Sequence, residues 1–247
     1  MVETLTSIKK AFKIINCFTE REPELSLVQI YNKTSISKPS ILRLCNTLIE
    51  EEFLVKDLDS GKYRLGPKMV NLWQIYNSSN ASAKDIYAYL HKISKNTKET
   101  VTIYKREEFN RICFMRVDSP QFLKYSIPIG HTLPLHLGAG GKIILANLDK
   151  DLQINYFEQF KLASFYKNLE EFLDLLLKIK KDGYCISKGE RDNFMAAAAA
   201  PLFKYNKIFG SLSISGPKDR FLNNFSNEKL YLLIQFAEKI SKLIESL

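Results

Sequence analysis

The chain has 247 residues, of which 45% are hydrophobic and 26% are charged, and its 36 Lys and Arg against 27 Asp and Glu give a formal charge of +9. This length predicts one large domain or two ordinary ones, and the composition excludes a disordered chain. The longest stretch without a charge, 125–141, is broken by prolines and glycines, so we expect no transmembrane helix. The N-terminus has no apolar signal core and the four cysteines form no CxxC pair. We therefore expect a cytoplasmic protein without a membrane partner, structural zinc or another cofactor.

A charge of +9 suggests a polyanionic partner, but the charge is not concentrated at one end of the chain. Residues 1–77 carry 11 basic and 9 acidic side chains, which is only +2. The charge is informative locally, because Lys33, Lys38 and Arg43 are the only charged residues between Glu24 and Glu50. This basic window is a candidate contact for nucleic acid.

Two amphipathic helices are predicted before residue 34. In the first, apolar residues recur at i, i+3, i+4 and i+7, which predicts that they form its buried face. These residues are Ile8, Ala11, Phe12, Ile15 and Phe18. Ser26, followed three residues later by Gln29, predicts a capping box that begins a second helix ending near Lys33.

A third helix is predicted after a turn at 34–37, and its two sides differ. Ser37 is a suitable N-cap, and Pro39 is tolerated in the first turn, where its missing donor costs nothing. The buried stripe is predicted to contain Ile41, Leu44, Cys45 and Leu48. The other side is mostly polar and free of carboxylates, as in a helix that lies in a major groove. It presents Lys38, Ser40, Leu42, Arg43, Asn46 and Thr47.

Two short strands, 53–56 and 62–65, flank a turn in which Gly61 is expected to supply a positive φ. Three helices followed by a hairpin predict a winged helix-turn-helix, and a helical bundle with an incidental hairpin is the alternative. Lys62 and Arg64 favour the first interpretation, because their spacing of two puts both on one face of a strand.

The remaining chain predicts a linker and a second domain. An apolar helix face at Met69, Val70, Leu72, Trp73 and Tyr76 is followed by a polar segment, 77–82, that we interpret as a hinge. Beyond it, strand pairs followed by helices predict an α+β sheet domain. The strands are predicted at 100–105, 111–117, 122–127, 184–187, 197–203 and 208–215, and the helices near 84–96, 139–147, 151–160, 168–181 and from Ser226.

Eight segments have the order and spacing of one set of family signatures, at 7–15, 37–44, 61–66, 116–120, 133–136, 141–146, 200–203 and 213–217. Together they resemble the IclR family of bacterial and archaeal transcription regulators. The resemblance implies a mixed α/β chain with a winged helix-turn-helix at 1–66, a linker helix and hinge at 67–82, and a GAF-like α+β domain at 83–247. It also implies that the last domain binds a small molecule and that the protein forms dimers or tetramers.

The glycine-rich stretch at 138–142 is not a phosphate-binding loop, because His136 and Ile143 stand where such a loop needs Gly and Ser or Thr. The backbone N–H groups of Ala139, Gly140 and Gly141 at a helix N-terminus can still receive a carboxylate. A tight turn whose glycines serve packing is the alternative.

The resemblance extends this candidate effector site to Ser187, Glu190, Ala197, Ser213 and Ser215. Alternation along a strand points Ser213 and Ser215 the same way, although both can be ordinary strand serines. Glu190 can equally be a surface carboxylate. Some relatives have an acid in place of Ser187 and a thiol in place of Ala197, which indicates a less polar pocket here.

The five alanines that follow Met195 either leave room for a ligand or pack tightly against a helix. If these small side chains leave room for a ligand, they favour an organic acid with an apolar or aromatic body as the effector.

The candidate DNA contacts lie on the third helix and the wing. We assign Lys38 and Ser40 to phosphates and Leu42, Arg43 and Asn46 to base edges. The set is completed by Ile41 on the same helix and by Lys62 and Arg64 on the wing. Base readout cannot be copied from relatives, because Ser35, Pro39 and Leu42 depart from the family pattern.

These observations predict a sequence-specific DNA-binding regulator, either a repressor or an activator, that responds to an organic-acid effector through the linker. We assign no catalytic residues. The first alternative is an enzyme using His136 or Cys185, but neither has an acid, base or orienting partner at motif spacing. The second is a small-molecule-binding protein without DNA recognition, which the basic residues of the third helix and wing argue against.

Overall fold

The computed structural model describes residues 5–19, 22–79, 81–125 and 127–246. The chain divides into two compact units, 1–79 and 80–247. Each has its own hydrophobic core. No helix in the described ranges is long and apolar enough to cross a membrane.

The first unit is a winged helix-turn-helix, as predicted. In chain order its elements are α1 (Thr6–Ile15), β1 (Glu24–Leu25), α2 (Leu27–Thr34), α3 (Lys38–Glu50), β2 (Leu54–Lys56), β3 (Tyr63–Leu65) and α4 (Lys68–Ser79). The strands form an antiparallel sheet in the order β1-β3-β2. Strand β1 was not predicted, because a strand of two residues is too short to show an alternating pattern.

The start of α2 and the buried stripe of α3 confirm the sequence interpretation. The Ser26 hydroxyl accepts from the Gln29 N–H at 3.3 Å, and the Ser26 N–H donates to Gln29 Oε1 at 2.8 Å, which is the predicted capping box. Along α3, Ile41, Cys45 and Leu48 are buried. The capping box and this stripe hold α2 and α3 at the turn between them.

The predicted buried face of α1 is right for Ala11, Ile15 and Phe18, which pack against the core, and wrong for the other two residues. Ile8 and Phe12 are 50% and 58% exposed, whereas Ile14 is fully buried. The helix carries more apolar residues than one face holds, so periodicity did not specify which of them meet α3. An exposed apolar surface remains on α1.

Helix covers most of the predicted hinge. Helix α4 extends to Ser79 and α5 begins at Ala81, while Asn80 lies outside the described residues. The absence of a core pattern at 77–82 therefore did not mean the absence of helix, because Asn, Ser and Ala all tolerate helical backbone.

The second unit is an α+β domain, as predicted. In chain order its elements are α5 (Ala81–Thr97), β4 (Thr100–Glu107), β5 (Asn110–Val117), β6 (Thr132–Pro134), α6 (Ala139–Ala146), α7 (Lys150–Gln159), α8 (Leu169–Asp182), β7 (Cys185–Lys188), β8 (Met195–Lys204), β9 (Lys207–Pro217), α9 (Lys218–Asn224) and α10 (Asn227–Ile244). The strands of the described residues form one antiparallel sheet in the order β6-β5-β4-β9-β8-β7.

The strand predicted at 122–127 is wrong. The described part of that segment has no ladder partner, and Phe122 is fully exposed. The edge beside β5 is instead paired by β6. A short apolar run looks alike in a strand and in a loop, so only the pairing decides between them.

The alanine run packs tightly against helices on one face of the sheet and leaves room for a ligand on the other, so both interpretations are confirmed. Ala196, Ala198 and Ala200 join the core formed with α5 and α10. Ala197 and Ala199 face the opposite side, where α6 packs. The small side chains allow close helix packing on one face and leave space beside α6 on the other.

Candidate effector and DNA sites

A cavity of about 40 Å³ lies where the N-terminus of α6 meets β8 and β9. It is lined by Tyr104, Arg111, Gly138, Ala139, Gly140, Ser187, Glu190, Arg191, Met195, Ala196, Ala197, Ser213 and Ser215. The structure thus brings together seven of the eight residues expected at the effector site. The eighth, Gly141, is absent from the lining.

Gly141 has a packing role, and its assignment to the cavity is wrong. A Cβ added there would lie 1.8 Å from Arg111 Nη1 and 2.3 Å from the Leu135 carbonyl oxygen. Its N–H donates to the Gly138 carbonyl at 3.2 Å and is therefore not free for a ligand. Only glycine fits between α6 and these neighbours.

Side chains of the protein engage two of the amides at the start of α6. The Gly138 N–H donates to Glu190 Oε2 at 3.1 Å, and the Ala139 N–H donates to the Ser187 hydroxyl at 2.9 Å. The Gly140 N–H has no hydrogen bond within the described part of the chain. It is the amide left for a ligand.

Glu190 is more than a surface carboxylate. Its second oxygen, Oε1, accepts from Lys142 Nζ at 2.5 Å, and Lys142 is itself buried on α6. Both carboxylate oxygens of Glu190 are therefore engaged, and its negative charge is balanced by the lysine.

Arg111, which the sequence interpretation missed, is the most unusual group in the cavity. It is 2% exposed, and among described residues its Nε is the buried side-chain polar atom that lacks a hydrogen-bond partner. Its Nη1 donates to the Pro134 carbonyl at 2.8 Å, and its guanidinium lies 5.0 Å from the Tyr104 ring centroid. Burial lowers its pKa to about 10. No carboxylate in the described ranges forms an ion pair with it. The charge of Glu190 raises its pKa, but Glu190 is itself paired with Lys142, so the cavity keeps an excess of positive charge.

Two further cavity residues, Arg191 and Tyr104, also escaped prediction. The Arg191 guanidinium lies 4.5 Å from the Tyr125 ring centroid. Burial raises the pKa of Tyr104, and the positive charges of Arg111 and Arg191 reduce this increase. The sequence could have predicted that Arg111 is buried. Arg111 stands two residues before Cys113, and alternation along β5 puts both side chains on the buried face.

The serines of β9 face the cavity as predicted from alternation. Ser213 and Ser215 both line it. Between α6 and β9, the Ser211 hydroxyl donates to the Gly140 carbonyl at 2.8 Å. This bond fixes Gly140 against the sheet and directs the start of α6 at the cavity.

His136 and Cys185 have no catalytic arrangement. Burial raises the pKa of the Cys185 thiol to about 11, which makes it a poor nucleophile. His136 Nδ1 lies 2.9 Å from the Tyr156 hydroxyl, which also accepts from the Leu135 and His136 N–H groups. Neither residue lines the cavity, so the geometry offers no support for an enzyme.

The candidate DNA-contact residues of α3 lie on one side of the helix, with one exception. Leu42, Arg43 and Asn46 are exposed, and Lys38 is exposed at the helix N-terminus. Ile41 is fully buried beside Cys45, so its inclusion among the DNA contacts is wrong. A residue that belongs to the core stripe cannot also face the groove.

The first turn of α3 has its own side-chain contacts. Lys38 Nζ lies 5.7 Å from the Tyr31 ring centroid. The Ser37 hydroxyl donates to the Ser40 hydroxyl at 3.0 Å rather than accepting from a backbone N–H. Ser37 is the N-cap by position, as predicted, and Ser40 is partly exposed.

The wing presents its predicted basic residues. Lys62 and Arg64 are exposed, although Lys62 precedes β3 rather than lying within it. Gly61 has the expected positive φ of 66°. Asp57 Oδ1 accepts from both the N–H and the hydroxyl of Ser60 at 2.8 Å, and these bonds lower the pKa of that carboxyl. These bonds hold the turn between β2 and β3 in one shape.

A winged helix-turn-helix with an exposed basic helix, joined to a separate domain with a cationic cavity, defines a DNA-binding regulator with a small-molecule sensor. The comparisons with known proteins agree. Residues 7–58 match the model of the IclR helix-turn-helix domain, and residues 77–242 match that of the bacterial transcriptional regulator IclR C-terminal domain. The chain therefore belongs to the IclR family and is a DNA-binding transcriptional regulator.

Individual relatives resemble the chain over nearly its whole length. The HTH-type transcriptional regulator KdgR of Escherichia coli (strain K12) is 26% identical over 246 residues, which cover 97% of this chain and 92% of the relative. An IclR transcriptional regulator from Alicyclobacillus acidocaldarius has a TM-score of 0.81 at 23% identity, covering 98% and 99% of the two chains. An IclR homolog from Microbacterium hydrocarbonoxydans, crystallised with 4-hydroxybenzoate, has a TM-score of 0.78 at 15% identity, covering 98% and 100%. At these identities the structures support the fold.

Proposed function

We propose that the protein binds a double-stranded DNA operator in the cytoplasm and that a small carboxylate in the cavity beside α6 controls this binding. The observation that carries the proposal is the buried guanidinium of Arg111, which lines the cavity without an acidic partner. A buried charge without a partner is destabilising, and an anion that enters the cavity relieves this cost.

A carboxylate fits the donors that surround the cavity. A guanidinium offers several N–H groups in a planar arrangement that matches the two oxygens of a carboxylate. The Gly140 N–H at the positive end of α6 adds a backbone donor. The hydroxyls of Ser213 and Ser215 can bind further polar atoms of the ligand.

The polarity of the cavity favours a short acid over one with an aromatic body. The lining contains two arginines, a tyrosine and three serines, of which the sequence interpretation had placed only the serines there. We therefore expect short aliphatic acids to bind, and aromatic acids serve as the comparison in the test.

On the DNA side, α3 is the recognition helix. Lys38 and Ser40, at its N-terminus, contact phosphates, while Leu42, Arg43 and Asn46 on its exposed face read base edges in the major groove. Lys62 and Arg64 contact the backbone or minor groove from the wing. Ile41 is excluded from this set because it is buried.

The regulator acts as a homodimer that places two recognition helices on a two-fold operator. Large exposed apolar side chains on α1 and on α4 support this assembly, because such side chains are typical of an interface. The exposed residues are Leu5, Ile8, Phe12, Val70, Leu72, Trp73, Ile75 and Tyr76. A tetramer would use a further surface in addition to this one.

Control by the effector is a matter of linkage. An acid that binds more tightly to one arrangement of the dimer shifts the population toward it, and the operator affinity changes with it. Such couplings are typically about 1–3 kcal/mol, or roughly 5- to 150-fold in affinity. Release from DNA or tighter binding on addition of the acid gives the direction of the effector response.

The test is a fluorescence-anisotropy titration of the protein onto its own upstream DNA at two salt concentrations, with and without a panel of short aliphatic and aromatic acids. We expect sequence-selective, salt-dependent binding that a short acid shifts. Arg111→Gln should keep DNA binding and lose the shift, whereas Arg106→Gln on β4, outside the cavity, should keep both. Absence of selective DNA binding, or an acid response that survives Arg111→Gln, would contradict the proposal.

A further inference from the structure

Two guanidinium groups line the same small cavity. Arg111 and Arg191 both contribute to its wall, and Glu190 is the acidic residue in the lining. Glu190 is already committed, since Oε1 accepts from Lys142 Nζ at 2.5 Å and Oε2 accepts from the Gly138 N–H at 3.1 Å. Lys142 balances Glu190, and the two arginines leave an excess of two positive charges.

The two arginines are held on different supports. Arg111 projects from β5 under the start of α6, where its Nη2 lies 3.6 Å from the position of a Cβ added to Gly138. Arg191 follows Glu190 in the segment between β7 and β8 and rests on the Tyr125 ring. They therefore approach the cavity from separate elements and do not form one bidentate clamp.

The two charges nevertheless act on each other. Both influence the hydroxyl of Tyr104, over whose ring Arg111 lies, and the charge of Arg191 helps to lower the pKa of Arg111 after burial itself. Two like charges that repel across a cavity are each stabilised by an anion placed between them. A ligand with one negative charge would neutralise only half of the excess.

We infer that the cavity selects a short dicarboxylate, with one carboxylate on Arg111 and the Gly140 N–H and the other on Arg191. The inference rests on the proposed carboxylate site and specifies its ligand class. The chain between the two carboxylates must be short, because both arginines line one cavity. The two carboxylates must then lie at opposite ends of a chain of a few carbon atoms.

The test compares a dicarboxylate with a ligand that differs only in one charge. Isothermal titration calorimetry of the full-length protein would use succinate, its monoamide succinamate, and malonate, all at constant ionic strength. We expect succinate or malonate to bind at least about tenfold more tightly than succinamate, because a desolvated charge pair is worth more than 1.4 kcal/mol.

Variants assign each carboxylate to its arginine. Arg191→Gln should lower the succinate affinity about tenfold and leave the succinamate affinity within about twofold, so that the preference disappears. Lys188→Gln, an exposed change on β7 that removes the same charge outside the cavity, should preserve the preference. Arg111→Gln should weaken both ligands.

The outcomes separate this inference from the proposed function. Equal affinity for succinate and succinamate would overturn the selection of a dicarboxylate and leave the carboxylate site standing. Equal weakening of both ligands by Arg191→Gln would overturn the assignment of the second carboxylate. Absence of binding by every acid would overturn the proposed function and this inference together. Circular dichroism of each variant confirms that it is folded.

Discussion

The Arg111 guanidinium lies 5.0 Å from the Tyr104 ring centroid, and its Nε has no hydrogen-bond partner in the described part of the chain. The aromatic face stabilises the cation, but it does not satisfy the remaining donors. A buried guanidinium in this state favours ligand binding at a cost to the stability of the unliganded domain.

Replacing Arg111 by methionine should therefore not destabilise the unliganded protein. We expect the free energy of unfolding to be unchanged or raised by up to about 2 kcal/mol, because an apolar side chain of similar length removes an unpaired buried charge. Urea denaturation without ligand measures this. Arg111→Ala is the control and should lower stability, since it leaves a cavity. A loss of more than about 2 kcal/mol in Arg111→Met would show that Arg111 is structural.

Ser35 should be replaceable by glycine with a gain in stability. It ends α2 with φ 57° and ψ 21°, a left-handed conformation that is unfavourable for a residue with a Cβ. Ser35→Gly should raise the free energy of unfolding of the first unit by about 0.5–1 kcal/mol. Unfolding can be followed through Trp73, the sole tryptophan, which lies in that unit. Ser35→Ala, which keeps a Cβ, should show no gain; a gain equal to that of glycine would rule out backbone strain.

Lys38 and Arg43 should differ in their effects on DNA binding. Lys38→Ala should weaken binding to all sequences alike and flatten the salt dependence by about one unit, because it removes one phosphate contact. Arg43→Ala should cost roughly 1–3 kcal/mol at particular base pairs. Anisotropy titrations on specific and random DNA at several salt concentrations test both. Equal losses on the two DNAs for Arg43→Ala would refute its role in base readout.

His136 should make stability depend on pH. Burial, and then the charge of Arg111, lower its pKa below the ordinary value of 6.5, and it packs against the Tyr156 hydroxyl and the rings of Phe160 and Phe165. A depressed pKa in the folded state means that the unfolded state binds the proton more readily. Its contribution is therefore present above about pH 6.5 and is lost as the pH falls below that value.

The comparison variant for this pH effect is His136→Gln, which cannot titrate. Urea denaturation at pH 7.5 and 5.5 should show a larger loss of stability in the original protein than in the variant. The same loss in both proteins would assign the pH dependence to other groups.

Trp73 should report on assembly. It is 59% exposed on α4, so burial in a dimer should shift its emission to shorter wavelength as the protein concentration rises. Trp73→Ser should raise the dimer dissociation constant about a hundredfold, since a two-fold interface loses the side chain twice. Sedimentation measures the constant, and Tyr231→Ser, an exposed aromatic change on α10, serves as the control. An unchanged constant in Trp73→Ser would place the interface elsewhere.

Most helices and strands were predictable because their patterns are local. The capping box at Ser26 and the buried stripe at Ile41 and Cys45 depend on neighbours within a few residues of each other. The face of α1 was not predictable in this way, because Ile8, Phe12 and Ile14 are all apolar and only packing against α3 selects one of them. The strand predicted at 122–127 failed for a similar reason, since pairing with β5 depends on residues far apart in the chain.

The candidate site shows the same division. Ser187 and Ser213 were placed by resemblance to a family, and they do line one cavity. Gly141 was misassigned because a glycine needed for packing and one needed for a ligand look identical until Arg111 and Leu135 are seen beside it.

The sequence by itself determined the domain types, the family, the basic recognition helix and the turn from which α6 begins, because these follow from local patterns and ordered motifs. Only the tertiary structure decided that Arg111 and Arg191 meet at that turn while Lys142 balances Glu190. Charge compensation is a property of distances between residues that are far apart in the chain. The net electrostatic character of the cavity, and with it the expected ligand, emerges only when the strands and helices pack.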